Sequence, residues 1–264
     1  MRIDCHTHVW LADTQLTPEF CREAQLMRSE PVDMTCTTDD HWRAQQEVDR
    51  TIVLAFESQH LGLHVDNDFV AAYARQHPEK LLGFAAVDPH WADPVAELER
   101  AVQDLGLVGL KLSPIYQGFH PTDERALAIY AAAERLGLPI LFHQGTTFPR
   151  RAPLKYAHPE QLEDIALAFP KLKFWIAHFG HPWEAETIAL VRKQPNVYTD
   201  LSGLFYRPWQ YYNILRLAQE YQVLHKCFLG SDFPVATVSE TIDGTRCVND
   251  ILEGTRLPRV DLDQ

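Results

Sequence analysis

Several things this sequence lacks narrow what it can be. It has only 12 glycines, no periodic repeat and no low-complexity tract, which excludes collagen-like, solenoid and disordered classes. No window approaches about 18 consecutive apolar residues, and the opening Met1, Arg2, Ile3, Asp4 lacks the apolar core of a signal peptide, so the expectation is a cytoplasmic protein without membrane partners. The five cysteines (Cys5, Cys21, Cys36, Cys227, Cys247) are an odd number with no CxxC pair, which reads as free thiols in a reducing compartment. Positive charge is scarce: 24 Lys plus Arg against 36 Asp plus Glu leave a formal charge of -12, a field that repels nucleic-acid phosphates. No GxGxxG turn follows the first candidate strand, which weakens the reading as a doubly wound dinucleotide-binding sheet.

Histidine, in contrast, is abundant, at 13 of 264 residues. So are short apolar runs. RIDCHTHV from Arg2, TIVLAF from Thr51, LLGFAAVD from Leu81, LVGLKL from Leu107, PILFHQ from Pro139, KFWIAHF from Lys173, VYTDLS from Val197 and CFLGSDF from Cys227 recur at strand-like length. Segments with helical signals separate them. Asp93-Pro94 is an N-cap and N1 pair ahead of a Val95, Leu98, Val102, Leu105 stripe that stops at Gly106. Thr122, followed by two acids, opens a second helix running to Gly137, and Pro159 opens a third that ends at Pro170. Eight such β-α units without a linker or a break in composition predict one α/β domain over 1–264, a (β/α)8 TIM barrel, with an open doubly wound sheet as the alternative. The irregular stretch from about Trp10 to Asp39 after the first strand is long enough to be a lid or binding loop.

In such a barrel the chemistry lies at the C-terminal ends of the strands. His6 and His8 close strand 1 two residues apart and so share a face; His143 ends strand 5, His178 strand 6 and Asp232 strand 8. Imidazoles with a carboxylate suit a divalent transition metal, zinc or manganese, with one coordination position left open for water. Each of these residues taken alone has a plainer reading as a hydrogen-bonded residue at the edge of the core. Their ordered recurrence at four strand ends favours a metal site.

DCHTHVW, GLKLSP, LFHQG, WIAHFGHPW and GSDFP, spread from Asp4 to Pro234, resemble the amidohydrolase superfamily, most closely the group that holds both hydrolases and decarboxylases of the aminocarboxymuconate-semialdehyde type. The resemblance implies that His6, His8, His143 and Asp232 bind one divalent metal and that His178 stands beside the substrate in a catalytic role. Asp232 would accept and return the proton of the attacking water. Some branches carry a carboxylated lysine bridging two metals at the position of Lys111; the motifs here match a mononuclear group, in which Lys111 is a positive charge near the substrate or a structural residue. Arg150, Arg151 and Arg207 follow strands 5 and 7 and are candidates to bind a substrate carboxylate, against the plainer reading of solvated loop charges. By strand parity Asp4 points inward beneath the metal, able to orient a ligand imidazole, while Cys5 and Thr7 face the helices.

Three functions stay open. The first is a metal-dependent hydrolase of a small carbonyl compound; the second is a non-oxidative decarboxylase of an unsaturated or aromatic acid; the third is a metal-binding barrel without turnover. The expected partner is a small-molecule substrate, carboxylated if the arginines contact it, and nothing in the sequence bears on oligomeric state.

Overall fold

The computed structural model describes residues 1–27 and 29–253; of the single domain expected over 1–264, residues 254–264 lie outside them. All eight expected strands are present: β1 (Ile3–His8), β2 (Arg50–Leu54), β3 (Leu81–Ala86), β4 (Leu110–Leu112), β5 (Ile140–Phe142), β6 (Phe174–Ile176), β7 (Val197–Asp200) and β8 (Cys227–Phe228). Each pairs in parallel with the next in chain order. The segment after β8 closes the ring onto β1: Cys5 N donates to Leu229 O at 2.9 Å, Asp232 N to His6 O at 2.8 Å and His8 N to Phe233 O at 2.8 Å. The protein is a TIM barrel, and the open-sheet alternative falls.

The helices begin and end where local chemistry requires. Asp93 caps Pro94–Gln103 by accepting from Ala96 N at 2.9 Å. Glu124–Leu136 stops at Gly137, whose φ of 70° is the left-handed conformation that a glycine takes without a Cβ clash. The segment from Pro159 starts as a 3-10 turn, Pro159–Leu162, before becoming the helix Glu163–Ala168. Strands and helices bury one large core between them. A second, smaller cluster fills the barrel itself with Cys5, Ile52, Leu54, Phe84, Leu141, Trp175 and Ala177, and Phe84 meets Trp175 across the interior at 5.6 Å between centroids. The site therefore sits on a packed plug.

Cys5 in that plug corrects the parity argument. The pairing of β1 with β2 slips between Asp4 and Thr7, a bulge that adds a residue to β1 and breaks the strict alternation. Cys5 consequently points inward with His6 and His8, whereas Thr7 points out and accepts from His41 of the helix Thr38–Ala44. Among the described residues Asp4 has no hydrogen bond to an imidazole ring: it accepts from Ser231 N, Ser231 Oγ and His6 N, and burial raises its carboxyl to about 7. It ties β1 to the chain after β8.

Two features after the strands shape the cavity. The stretch from Trp10 contains short helices, Ala12–Gln15 and Pro18–Glu23, and returns to a Trp10/Cys36 bridge. A two-stranded hairpin, Phe56–Ser58 with Leu63–Val65, follows β2 and was not anticipated from the sequence. No helix among the described residues is long and apolar enough to cross a membrane.

Candidate metal centre

His6 and His8 belong to β1 itself, while His143, His178 and Asp232 lie just beyond β5, β6 and β8, so the ring of strands aims all five into one cavity of about 380 Å³. His178 and Asp232 sit there at φ of 54° and 62°, left-handed conformations that cost a non-glycine residue free energy and cluster at functional sites. Gly203 leaves them room: a Cβ there would lie 3.3 Å from Asp232 Oδ2 and 3.4 Å from His178 Nδ1.

The tightest group is His6, His178 and Asp232, whose ligand-type atoms all lie within 4.8 Å of one another. His6 Nε2 is 3.3 Å from Asp232 Oδ1, His8 Nε2 is 3.5 Å from the same oxygen, and His178 Nε2 is 3.9 Å from Asp232 Oδ2. Two atoms bound tetrahedrally to one ion at about 2.1 Å stand about 3.4 Å apart, so this donor set fits a divalent metal. The outer nitrogens agree. His6 Nδ1 is 3.1 Å from Asp200 Oδ2 and His143 Nε2 is 3.1 Å from Thr146 O, both acceptors, so each ring has a nitrogen left to serve as a ligand. His8 Nδ1 is buried without a partner among the described residues. His143 stands beside His178, 5.2 Å between ring centroids, and is not in the tightest group.

Electrostatics favour the same chemistry. Burial, helped by the Lys111 charge, lowers His6 to about 3; burial also lowers His8 and takes His143 well below its ordinary range, so these imidazoles are neutral at pH 7. Burial raises the Asp232 carboxyl, but the neighbouring His178, His6 and His8 outweigh it, and Asp232 stays below the usual carboxylate range. Lys111 is buried beneath them with Nζ 3.4 Å from His6 Nε2, and burial lowers it to about 8 despite Asp232 and Asp200. An ion on His6 Nε2 requires this ammonium to turn away.

Of the three arginines, only Arg207 lines the cavity. Its Nη1 and Nη2 donate to Gly203 O and Met27 O, both at 3.1 Å, and its guanidinium covers the Tyr206 ring. Arg150 is exposed, with its backbone N on Glu23 Oε2. Arg151 is also exposed and is locked reciprocally to His60: Arg151 Nη2 donates to His60 O at 3.0 Å and His60 Nε2 donates to Arg151 O at 2.8 Å. Neither lines the cavity, and for Arg151 the guanidinium is held by a carbonyl on the neighbouring loop. The cavity walls are aromatic, with Trp10, Phe20, Phe56, Tyr116 and Phe148. Asp200, the last residue of β7, was not among the sequence candidates, and it carries the same signal as Asp232, an acid at the catalytic end of a strand.

A family model described as amidohydrolase matches residues 3–253. No curated protein matches the sequence. Among solved structures, an uncharacterized TIM-barrel protein from Bordetella bronchiseptica shares 19% identity over 93% of this chain and 90% of its own, with a TM-score of 0.76. A structure described as a probable 2-pyrone-4,6-dicarboxylic acid hydrolase from Acinetobacter baumannii, with citric acid bound, shares 18% over 94% and 92% at a TM-score of 0.66. A 5-carboxyvanillate decarboxylase from Novosphingobium aromaticivorans, with bound manganese, shares 16% over 92% and 90% at 0.64. Likeness at this level of identity extends to the fold, and the matched span of the family model decides membership: the chain belongs to the amidohydrolase family.

Proposed function

We propose that this amidohydrolase-family protein is a metal-dependent hydrolase of a small carbonyl compound, a lactone, an amide or a related carboxylated metabolite. The observation that carries this reading is the convergence of His6, His178 and Asp232, flanked by His8 and His143, on the lining of one cavity. His6, His8, His143 and Asp232 would hold one divalent ion, zinc by donor type or manganese. Such an ion supplies Lewis acidity, polarising a substrate carbonyl and making water acidic enough to attack near neutral pH. Asp232 accepts the proton of the attacking water and returns it to the leaving group as the acyl bond breaks. His178 holds the substrate oxygen, and Lys111 or Arg207 pairs with substrate negative charge. The aromatic walls exclude bulk water and strengthen each of these interactions.

A second reading, non-oxidative decarboxylation, is favoured by those same walls, which suit a flat unsaturated acid. There the electron pair of the breaking bond to CO2 stays on carbon, and Asp232 or His178 delivers a proton to it. Charge and cysteines support the setting. The net charge of -12 argues for a small-molecule substrate over nucleic acid, and the five free thiols support a cytoplasmic location.

Metal analysis after purification without chelators, followed by a screen of lactones and of carboxylated muconate and benzoate analogues, tests the proposal. The expected result is about one metal per chain and a hydrolysed product without CO2. Release of CO2 selects the second reading; bound metal with no turnover on any substrate leaves a metal-binding barrel. Two metals per chain would return Lys111 to a bridging role.

A further inference from the structure

We propose that Asp200 and Ser202 are positioning residues that fix hydrogen on Nδ1 of two site imidazoles at once, His6 and His178, and so turn the Nε2 atom of each ring toward Asp232. Both residues are fully buried, and neither lines the cavity. They act from behind the rings.

Asp200 Oδ1 accepts from His178 N at 2.9 Å, Ser202 N at 3.1 Å and Ser202 Oγ at 2.5 Å. The single hydroxyl proton of Ser202 is thereby committed to the carboxylate, and Ser202 Oγ can only accept from its other neighbours. Those neighbours are His6 Nδ1 at 3.1 Å and His178 Nδ1 at 2.8 Å. His6 Nδ1 also meets Asp200 Oδ2 at 3.1 Å, and His178 Nδ1 meets Ser202 O at 2.9 Å. Every partner of both Nδ1 atoms is an acceptor, so both atoms are donors. The same carboxylate holds the His178 backbone N–H and thus helps keep that residue in its left-handed conformation.

The consequence for zinc binding rests on the metal reading of His6; the proton positions do not. Asp200→Asn separates the two. An asparagine that keeps its oxygen on the three donors turns its NH2 group onto His6 Nδ1; with that donor in place of the carboxylate oxygen, the His6 proton should move to Nε2, the ligand atom. Nitrogen-15 spectra of histidine-labelled, metal-free protein, assigned from single-histidine variants, should show His6 and His178 as Nδ1–H tautomers in the wild type and His6 switched in Asp200→Asn. Zinc titration against a chromophoric chelator should show affinity reduced about 10- to 100-fold in that variant. Ser202→Ala removes the hydroxyl but leaves the carbonyl of residue 202 accepting from His178 Nδ1, so His178 should remain an Nδ1–H tautomer in that variant. An Nε2–H tautomer for either residue in the wild type overturns the proposal, even if Asp200→Asn does not fold. A His6 switch with unchanged zinc affinity sustains the lock and removes His6 from the metal.

Discussion

Replacing His41 tests how firmly the strand that carries His6 and His8 is anchored. His41 is fully buried, and its two ring nitrogens complete a chain of hydrogen bonds. Thr7 Oγ1 donates to Ile52 O at 2.6 Å, so it accepts from His41 Nε2 at 2.8 Å, and His41 Nδ1 in turn accepts from Tyr73 OH at 2.9 Å. A neutral ring with its hydrogen on Nε2 satisfies this chain. Burial first, then the charges of His8 and Lys80, lower His41 from 6.5 to about 3. A histidine depressed in the folded state binds its proton more readily when unfolded, so its contribution to stability is complete above pH 6.5 and is lost as pH falls toward 3. At pH 5 the unfolded chain is favoured by about 1.5 pH units of linkage, or about 2 kcal/mol. His41→Gln keeps a donor and an acceptor but cannot titrate. Its stability at pH 7.5 should drop by about 1–3 kcal/mol through poorer hydrogen bonding. The additional loss between pH 7.5 and pH 5, measured by urea unfolding, should be about 2 kcal/mol smaller than in the wild type. Other buried histidines add to the acid sensitivity of both proteins and cancel in the comparison. Parallel pH dependences in the two proteins would refute the assignment.

His178→Asn should retain most of the bound metal, measured by elemental analysis, while losing most of the turnover, because His178 is assigned to the substrate; complete metal loss would make it a ligand, as its place in the tightest group permits. Arg207→Ala should lower kcat/KM about 10- to 100-fold on a carboxylated substrate, the worth of a charge-assisted hydrogen bond, whereas Arg150→Ala and Arg151→Ala, outside the cavity, should change it less than threefold. A larger effect from either outer arginine would mean that its loop closes over bound substrate. Gly109→Ala should cost about 1–3 kcal/mol or more in urea unfolding, since a Cβ there would lie 2.3 Å from Phe84 Cζ inside the barrel plug; a neutral effect would show the plug to be loosely packed.

The eight strands and the ordered His6, His8, His143, His178 and Asp232 were legible in the chain because their signals are local. A parallel strand buried on both faces is a short apolar run, and the architecture itself puts the residue that ends it at the catalytic rim. Where local rules were extended across the structure they failed for identifiable reasons. Parity predicted that Cys5 faces the helices, and one bulge in β1 turned it into the barrel. Arg151 and Arg207 look alike in sequence, yet each guanidinium is held by a carbonyl on another loop, His60 O for Arg151 and Met27 O for Arg207.

Asp200 marks the boundary most clearly. In VYTDLS it is one more acid at a strand end, and the orienting role went by parity to Asp4. Its partners are His6, 194 residues away, and the backbone of His178, 22 residues away, and no periodicity links those positions. The sequence by itself determined the repeat of strand and helix and the residue types delivered to the rim. Closure of the ring alone decided which groups face one another there, because hydrogen-bond partners are chosen by distance in space and the barrel brings side chains of its first and seventh strands, His6 and Asp200, within 3.1 Å of each other.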